Sequence, residues 1–173
     1  MIAHARARAL RGRRSDEGPG AGARRLQRIL EDAAKAAGAD VYVAGGPDDV
    51  STPAGVRKPD VFVVPKPVAR SAISRQVRTF YASDLLLVAE VVSPRSGGEQ
   101  TDQVRKVSEY AKAGIPVYWI VELDPDPKVT VLTLGDGEYQ LDTEVRGRAR
   151  PQRDRPVPGH LRPGNPHRAR LAR

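Results

Sequence analysis

The 173-residue chain is long enough for one domain with a single core, and its net charge of +8 points towards a polyanionic partner. It has no cysteine, which excludes disulfides and thiolate metal sites, and no apolar run near the ~18 residues of a membrane span. The histidines, His4, His160 and His167, all lie near the ends of the chain, which argues against a histidine-based zinc or acid–base site.

The charge is unevenly spread. Residues 1–25 hold seven Arg against Asp16 and Glu17, and residues 146–173 hold nine Arg against Asp154. The stretch between, 26–145, has thirteen basic residues against eighteen acids, so the middle is mildly acidic and the ends carry the positive charge. Basic ends add sequence-independent affinity for nucleic acid, or are simply solvated. Residues 1–23 lack hydrophobic periodicity and read as a disordered basic segment, with arginines but no apolar signal core, so a cytoplasmic location is expected.

Taken in chain order, ARRLQRILEDAAKAAG predicts an amphipathic helix, with Leu26, Ile29, Leu30, Ala33 and Ala37 at spacings of three and four and Gly38 as its stop. VYVA (41–44) predicts a short strand, 45–58 a hairpin, and DVFVV (60–64) a strand between two prolines. Residues 66–84 are polar and basic, with Phe80 and Tyr81 near their end, and give no clear element. LLLVAEVV (85–92) reads as a central strand covered on both faces, with Glu90 sharing a face with Leu86, Val88 and Val92. TDQVRKVSEYAKAG predicts a helix whose inner stripe is Val104, Val107 and Ala111, with Lys106 at its margin. VYWIVEL (117–123) is a second buried strand, reached through a crossover long enough for parallel pairing. KVTVLTL (128–134) and EYQL, joined at Gly135-Asp136-Gly137, predict a closing hairpin. The Arg/Pro-rich residues 146–173 read as a disordered tail, leaving 24–145 as an α/β domain.

A carboxylate inside LLLVAEVVSP sets the chemical question, because an unpaired buried charge costs several kcal/mol and needs a cation, a metal or a proton. Asp60, held at a strand start by Pro59, is a second candidate acid. Asp102 and Lys106 share a helix face four residues apart, and Tyr110 extends that face by a turn. Two carboxylates and an amine converging at a sheet edge suit metal-assisted phosphodiester hydrolysis.

The segments KPDVFVV, LLLVAEVVSP, DQVRK and EYAKAGIPVYWIVEL resemble the PD-(D/E)XK restriction-endonuclease-like superfamily, and within it the Uma-type restriction endonucleases, over roughly residues 24–142. The resemblance implies a mixed β-sheet core flanked by helices, and DNA cleavage dependent on Mg²⁺, with Mn²⁺ as a substitute. Asp60 matches the acid of the PD motif and Glu90 that of the (D/E)XK motif. Val92 stands where that motif has its lysine; Lys106, in an Asp-x-x-x-Lys spacing from Asp102, supplies the displaced amine, as in the Uma-type pattern. The backbone carbonyl of Val91 is an implied metal ligand, and Glu31 on the first helix a supporting one. Nucleases of this type often act as homodimers; the sequence shows no interface.

Lys66, Arg70, Arg75 and Arg78, with Phe80 and Tyr81, form the basic-aromatic patch of the central domain and are candidate nucleic-acid contacts. Two other readings stand beside the nuclease: an inert nucleic-acid-binding module of the same fold, and a non-catalytic domain in which Glu90 and Lys106 form a buried ion pair.

Overall fold

A computed structural model of the chain describes residues 20–92, 97–123 and 127–147, with the side chains of 97–102 outside the description. The stretches read as disordered tails lie almost wholly outside the described residues. The first helix, α1 (Ala21–Ala36), starts two residues before the expected run, and the last strand continues to Arg146.

The chain then runs through β1 (Val41–Gly45), the hairpin strands β2 (Asp49–Thr52) and β3 (Gly55–Arg57), and β4 (Val61–Pro65). Next come α2 (Lys66–Ser74), β5 (Thr79–Tyr81), a 3₁₀ turn over Ala82–Asp84, and β6 (Leu87–Val92). α3 (Gly97–Lys112), β7 (Val117–Glu122), β8 (Lys128–Gly135) and β9 (Glu138–Arg146) complete it. Among the described residues, β1-β4-β6-β7-β8-β9 form one sheet and β3-β2-β5 a smaller one. Only β6 and β7 pair in parallel within the larger sheet, and α3 is their crossover. The expected α/β class, a mixed sheet flanked by helices, is the architecture found.

The alternation of the strands explains the layers. Val61 and Val63 face α1, where they join Leu26, Leu30, Val43, Ala89, Trp119 and Val121. Phe62 and Val64 face the other way, towards Val88, Tyr110, Ile115, Tyr118 and the small sheet's Phe80. Phe62 and Phe80 meet edge-on with centroids 5.2 Å apart, and that contact fastens the small sheet to the large one. No described helix is long and apolar enough to cross a membrane.

Three expectations need correction. The strand carrying Glu90 begins at Leu87, not Leu85: the 3₁₀ turn consumes the approach, and Leu86 is 41% exposed instead of sharing the face of Glu90. The apolar stripe of α3 is not Val104-Val107-Ala111. Val104 is 73% exposed, while Tyr110 is fully buried and Val107 and Ala111 pack inward. At about 100° per residue the buried face centres between Val107 and Tyr110, because burying the large phenol ring outweighs burying a valine, and Val104 falls to the margin. Residues 66–84, which gave no clear element, contain α2 and β5. The buried face of α2 is made by Ala69 and Ala72, too small to mark a stripe in the sequence.

Candidate functional site

Asp60 comes just before β4, and three ties hold the approach to it. Arg57 Nε donates to Glu109 Oε2 on α3 at 2.8 Å, Lys58 pairs with Asp49 at 2.8 Å, and the Pro59 side chain is fully buried. β1 closes the fourth side. A Cβ on Gly45 would stand 2.5 Å from the Asp60 carbonyl oxygen, so only a glycine lets β1 approach this closely. Gly45→Ala is expected to destabilise the chain by about 1–3 kcal/mol, since the opposing atom is backbone and cannot swing away. A urea midpoint unchanged by that substitution would show that the approach is slack.

The antiparallel β4–β6 register runs Val63↔Leu87, Phe62↔Val88, Val61↔Ala89. One further step sets Asp60 opposite Glu90, both on the α3 side of the sheet. Ladder pairing stops there, and the Asp60 side chain takes its place: Oδ2 accepts from the Val91 N–H at 2.8 Å. The N–H and C=O of a strand residue leave on the same side, so the Val91 carbonyl faces the same edge. The register would place Pro59 opposite it, and a proline has no N–H to offer. The Asp60 carboxylate is thus held on β6 at the residue after Glu90, near the sheet margin.

From above, α3 reaches Glu90 with two donors one helical turn apart. Lys106 Nζ lies 3.1 Å from Oε2, and the Tyr110 hydroxyl donates to Oε1 at 2.8 Å. The Glu90 side chain is only 6% exposed, that of Lys106 23%. Burial pushes the Glu90 carboxyl above its ordinary range. Lys106 and Tyr110 pull it back in part, and the charge of Asp60 adds to the rise. The Tyr110 phenol is pushed far above its usual range, first by burial and then by Glu90, so it stays protonated and donates.

The site therefore sets a desolvated carboxylate beside a second one, with the Lys106 ammonium offsetting the burial only in part. Hard oxygen donors in that state fit Mg²⁺ or Mn²⁺, which keep several waters and need only one or two carboxylates. Among the described residues no group of three or more acids or histidines is assembled that could hold a metal ion.

Asp102 is on α3, but its side chain lies outside the described residues. Glu31 is exposed on α1 and accepts from Gln27 Nε2 at 3.0 Å. Lys66 is at the opposite end of β4 from Asp60 and pairs with Asp40 at 3.4 Å. Arg70, Arg75 and Arg78 are exposed along α2 and the turn after it, and no described hydrogen bond or ion pair joins them to the two acids. Sequence reasoning missed the direct bond of Tyr110 to Glu90, although its i+4 spacing from Lys106 was visible. It also missed the Arg57–Glu109 tie, which joins residues 52 apart and has no local signal.

Residues 19–162 match the protein family Uma2, described as "Putative restriction endonuclease". No curated protein matches the chain.

Proposed function

The chain belongs to the Uma2 restriction-endonuclease family, and from that membership together with the two-acid geometry we propose that it is a metal-dependent endonuclease that hydrolyses DNA phosphodiester bonds. The observation that carries the reading is the Asp60 carboxylate held on the Val91 N–H, next to Glu90 on β6, with Lys106 3.1 Å from Glu90. Asp60, Glu90 and the Val91 carbonyl would hold Mg²⁺, with Mn²⁺ as a substitute. The bound ion supplies Lewis acidity towards the phosphoryl oxygens and acidifies a water.

The chain's own residues do the rest. The Lys106 ammonium, on a flexible stem at the rim, donates a hydrogen bond to the attacking water or to a non-bridging phosphoryl oxygen. The water oxygen bonds to phosphorus, the bond to the sugar oxygen breaks, and the water's proton ends on the leaving oxygen through solvent. Asp102, one turn before Lys106 on α3, is proposed to steady the lysine. The buried walls of Tyr110 and Val88 keep bulk water from Glu90 on the core side.

One observation favours a second reading. Glu90 and Lys106 already form a closed pair, as a purely structural ion pair would. A plasmid assay separates the two. Wild-type protein nicks supercoiled DNA in Mg²⁺ or Mn²⁺ and not in EDTA, and Lys106→Met loses about 10²–10³-fold in rate, the usual cost of one donor aimed at developing charge. Salt-sensitive DNA binding without cleavage identifies an inert module. Neither binding nor cleavage by folded protein leaves the structural pair.

A further inference from the structure

We infer that Tyr110 is the positioning residue of the metal site, the fixed anchor of Glu90, whereas Lys106 is its exchangeable partner; the inference rests on the nuclease reading and assigns a role within it. The two donors approach the two oxygens of one carboxylate from one helix face, but they differ in freedom. The Tyr110 ring is fully buried and is gripped edge-on by Tyr118, with centroids 5.3 Å apart. Tyr118 in turn leans on Tyr139, centroids 5.8 Å apart, and the Tyr139 hydroxyl donates to the Ile115 carbonyl at 2.8 Å. The helix end is fixed as well. Gly114, in the left-handed region at φ 75°, turns the chain so that the Ile115 N–H donates to the Tyr110 carbonyl at 3.2 Å, and Ile115 enters the same core. A hydroxyl held by that stack has one direction to point, and Glu90 Oε1 occupies it.

Lys106 is held differently. Its ammonium ends a flexible four-carbon stem on a side chain 23% exposed, so it can leave Glu90 once another cation takes its place. A cation arriving between Asp60 and Glu90 competes with the ammonium for Oε2. Tyr110 is bound to the other oxygen, from the core side, and does not compete. Each Glu90 oxygen keeps a second lone pair for the cation. The tyrosine thus preserves the carboxylate's orientation as the lysine is released towards the substrate. Partners that orient a ligating carboxylate commonly change metal affinity by 10–100-fold when removed.

The test is titration calorimetry with Mn²⁺ on the full chain without DNA, using wild type, Tyr110→Phe, Tyr139→Phe and Lys106→Met. Tyr110→Phe keeps the ring and loses the donor to Glu90. Tyr139→Phe loses a comparable hydroxyl bond in the same aromatic stack without touching the site, so it reports what structural loosening alone does. The expected result is Mn²⁺ affinity about tenfold or more weaker in Tyr110→Phe, and affinity unchanged in Tyr139→Phe at similar loss of Tm. Lys106→Met is expected to bind Mn²⁺ as tightly as wild type or tighter, because a competing cation is gone. Equal affinity in Tyr110→Phe and wild type overturns the anchor, as does equal weakening in both tyrosine variants. Weakening in Lys106→Met overturns the division of roles. Absence of Mn²⁺ uptake by folded wild type is a different failure: it removes the nuclease reading itself, and this inference with it.

Discussion

Glu90→Gln is expected to abolish metal-dependent nicking, by at least ~10³-fold, and at the same time to make the metal-free chain more stable at pH 7. The first effect follows from removing one of the two carboxylates at the site. A cation held by Asp60 and a carbonyl alone loses several kcal/mol of charge stabilisation, and each 1.36 kcal/mol is tenfold in rate. The second effect follows from burial. The Glu90 carboxyl is raised above its ordinary range mainly by desolvation, and Lys106 and Tyr110 do not fully compensate. The unfolded chain therefore ionises this group at lower pH than the folded chain does. Stability falls as pH rises from the unfolded pKa of 4.5 through the folded one, and the deficit is then constant. A glutamine carries no such deficit, still accepts from Tyr110, and leaves Lys106 partly in water. The expected result in EDTA is a Tm at pH 7 above that of wild type, a gain that vanishes below pH 4.5. Thermal melts across pH, paired with the plasmid assay, measure both. A variant that still nicks DNA, or one that melts lower than wild type at pH 7 but not at pH 4, contradicts this account.

The largest loss of stability is expected at Phe62→Ala, about 3–5 kcal/mol. Phe62 is fully buried on β4, two residues after Asp60, and its ring meets Phe80 of the small sheet edge-on. Truncation removes the aromatic pair and leaves a cavity bounded by Val88 and the small sheet, which β4, paired on both sides, cannot collapse to fill. Since domains hold only ~5–15 kcal/mol in total, such a variant is partly unfolded near physiological temperature. Urea unfolding of Phe62→Ala and Phe62→Leu gives the check: the leucine should recover more than half of the loss. A cost below ~1 kcal/mol for the alanine would mean that the two sheets are not fastened through this contact.

The acids were legible because each breaks a strong local pattern. Glu90 interrupts LLLVA–VV, where a charge has no business without a compensating partner, and Asp60 follows a proline that starts a strand. Large aliphatic and aromatic runs gave β1, β4, β6, β7 and the last hairpin to within a few residues. What was not legible depended on azimuth or distance. The buried side of α2 is alanine, which carries almost no periodic signal. The rotation of α3 is decided by a tyrosine that prefers the core to the surface, which leaves Val107 and Ala111 inside and turns Val104 out. The tie between Arg57 and Glu109 exists only once the hairpin has folded over α3, so nothing local in the chain announces it. The residues suspected of touching nucleic acid were grouped by nearness in sequence, and α2 carries Lys66 to the far end of β4 from the acids.

The parallel pair within the larger sheet, β6 beside β7, has a consequence for how such a site fails. Parallel neighbours oblige the chain to travel back over the sheet, and here the return leg supplies both groups that grip Glu90. Ammonium and phenol are therefore geared together: sliding α3 by one residue would swing both away by about 100° in the same instant. Only with the return leg seated can either donor reach the acid; once it is displaced, neither can.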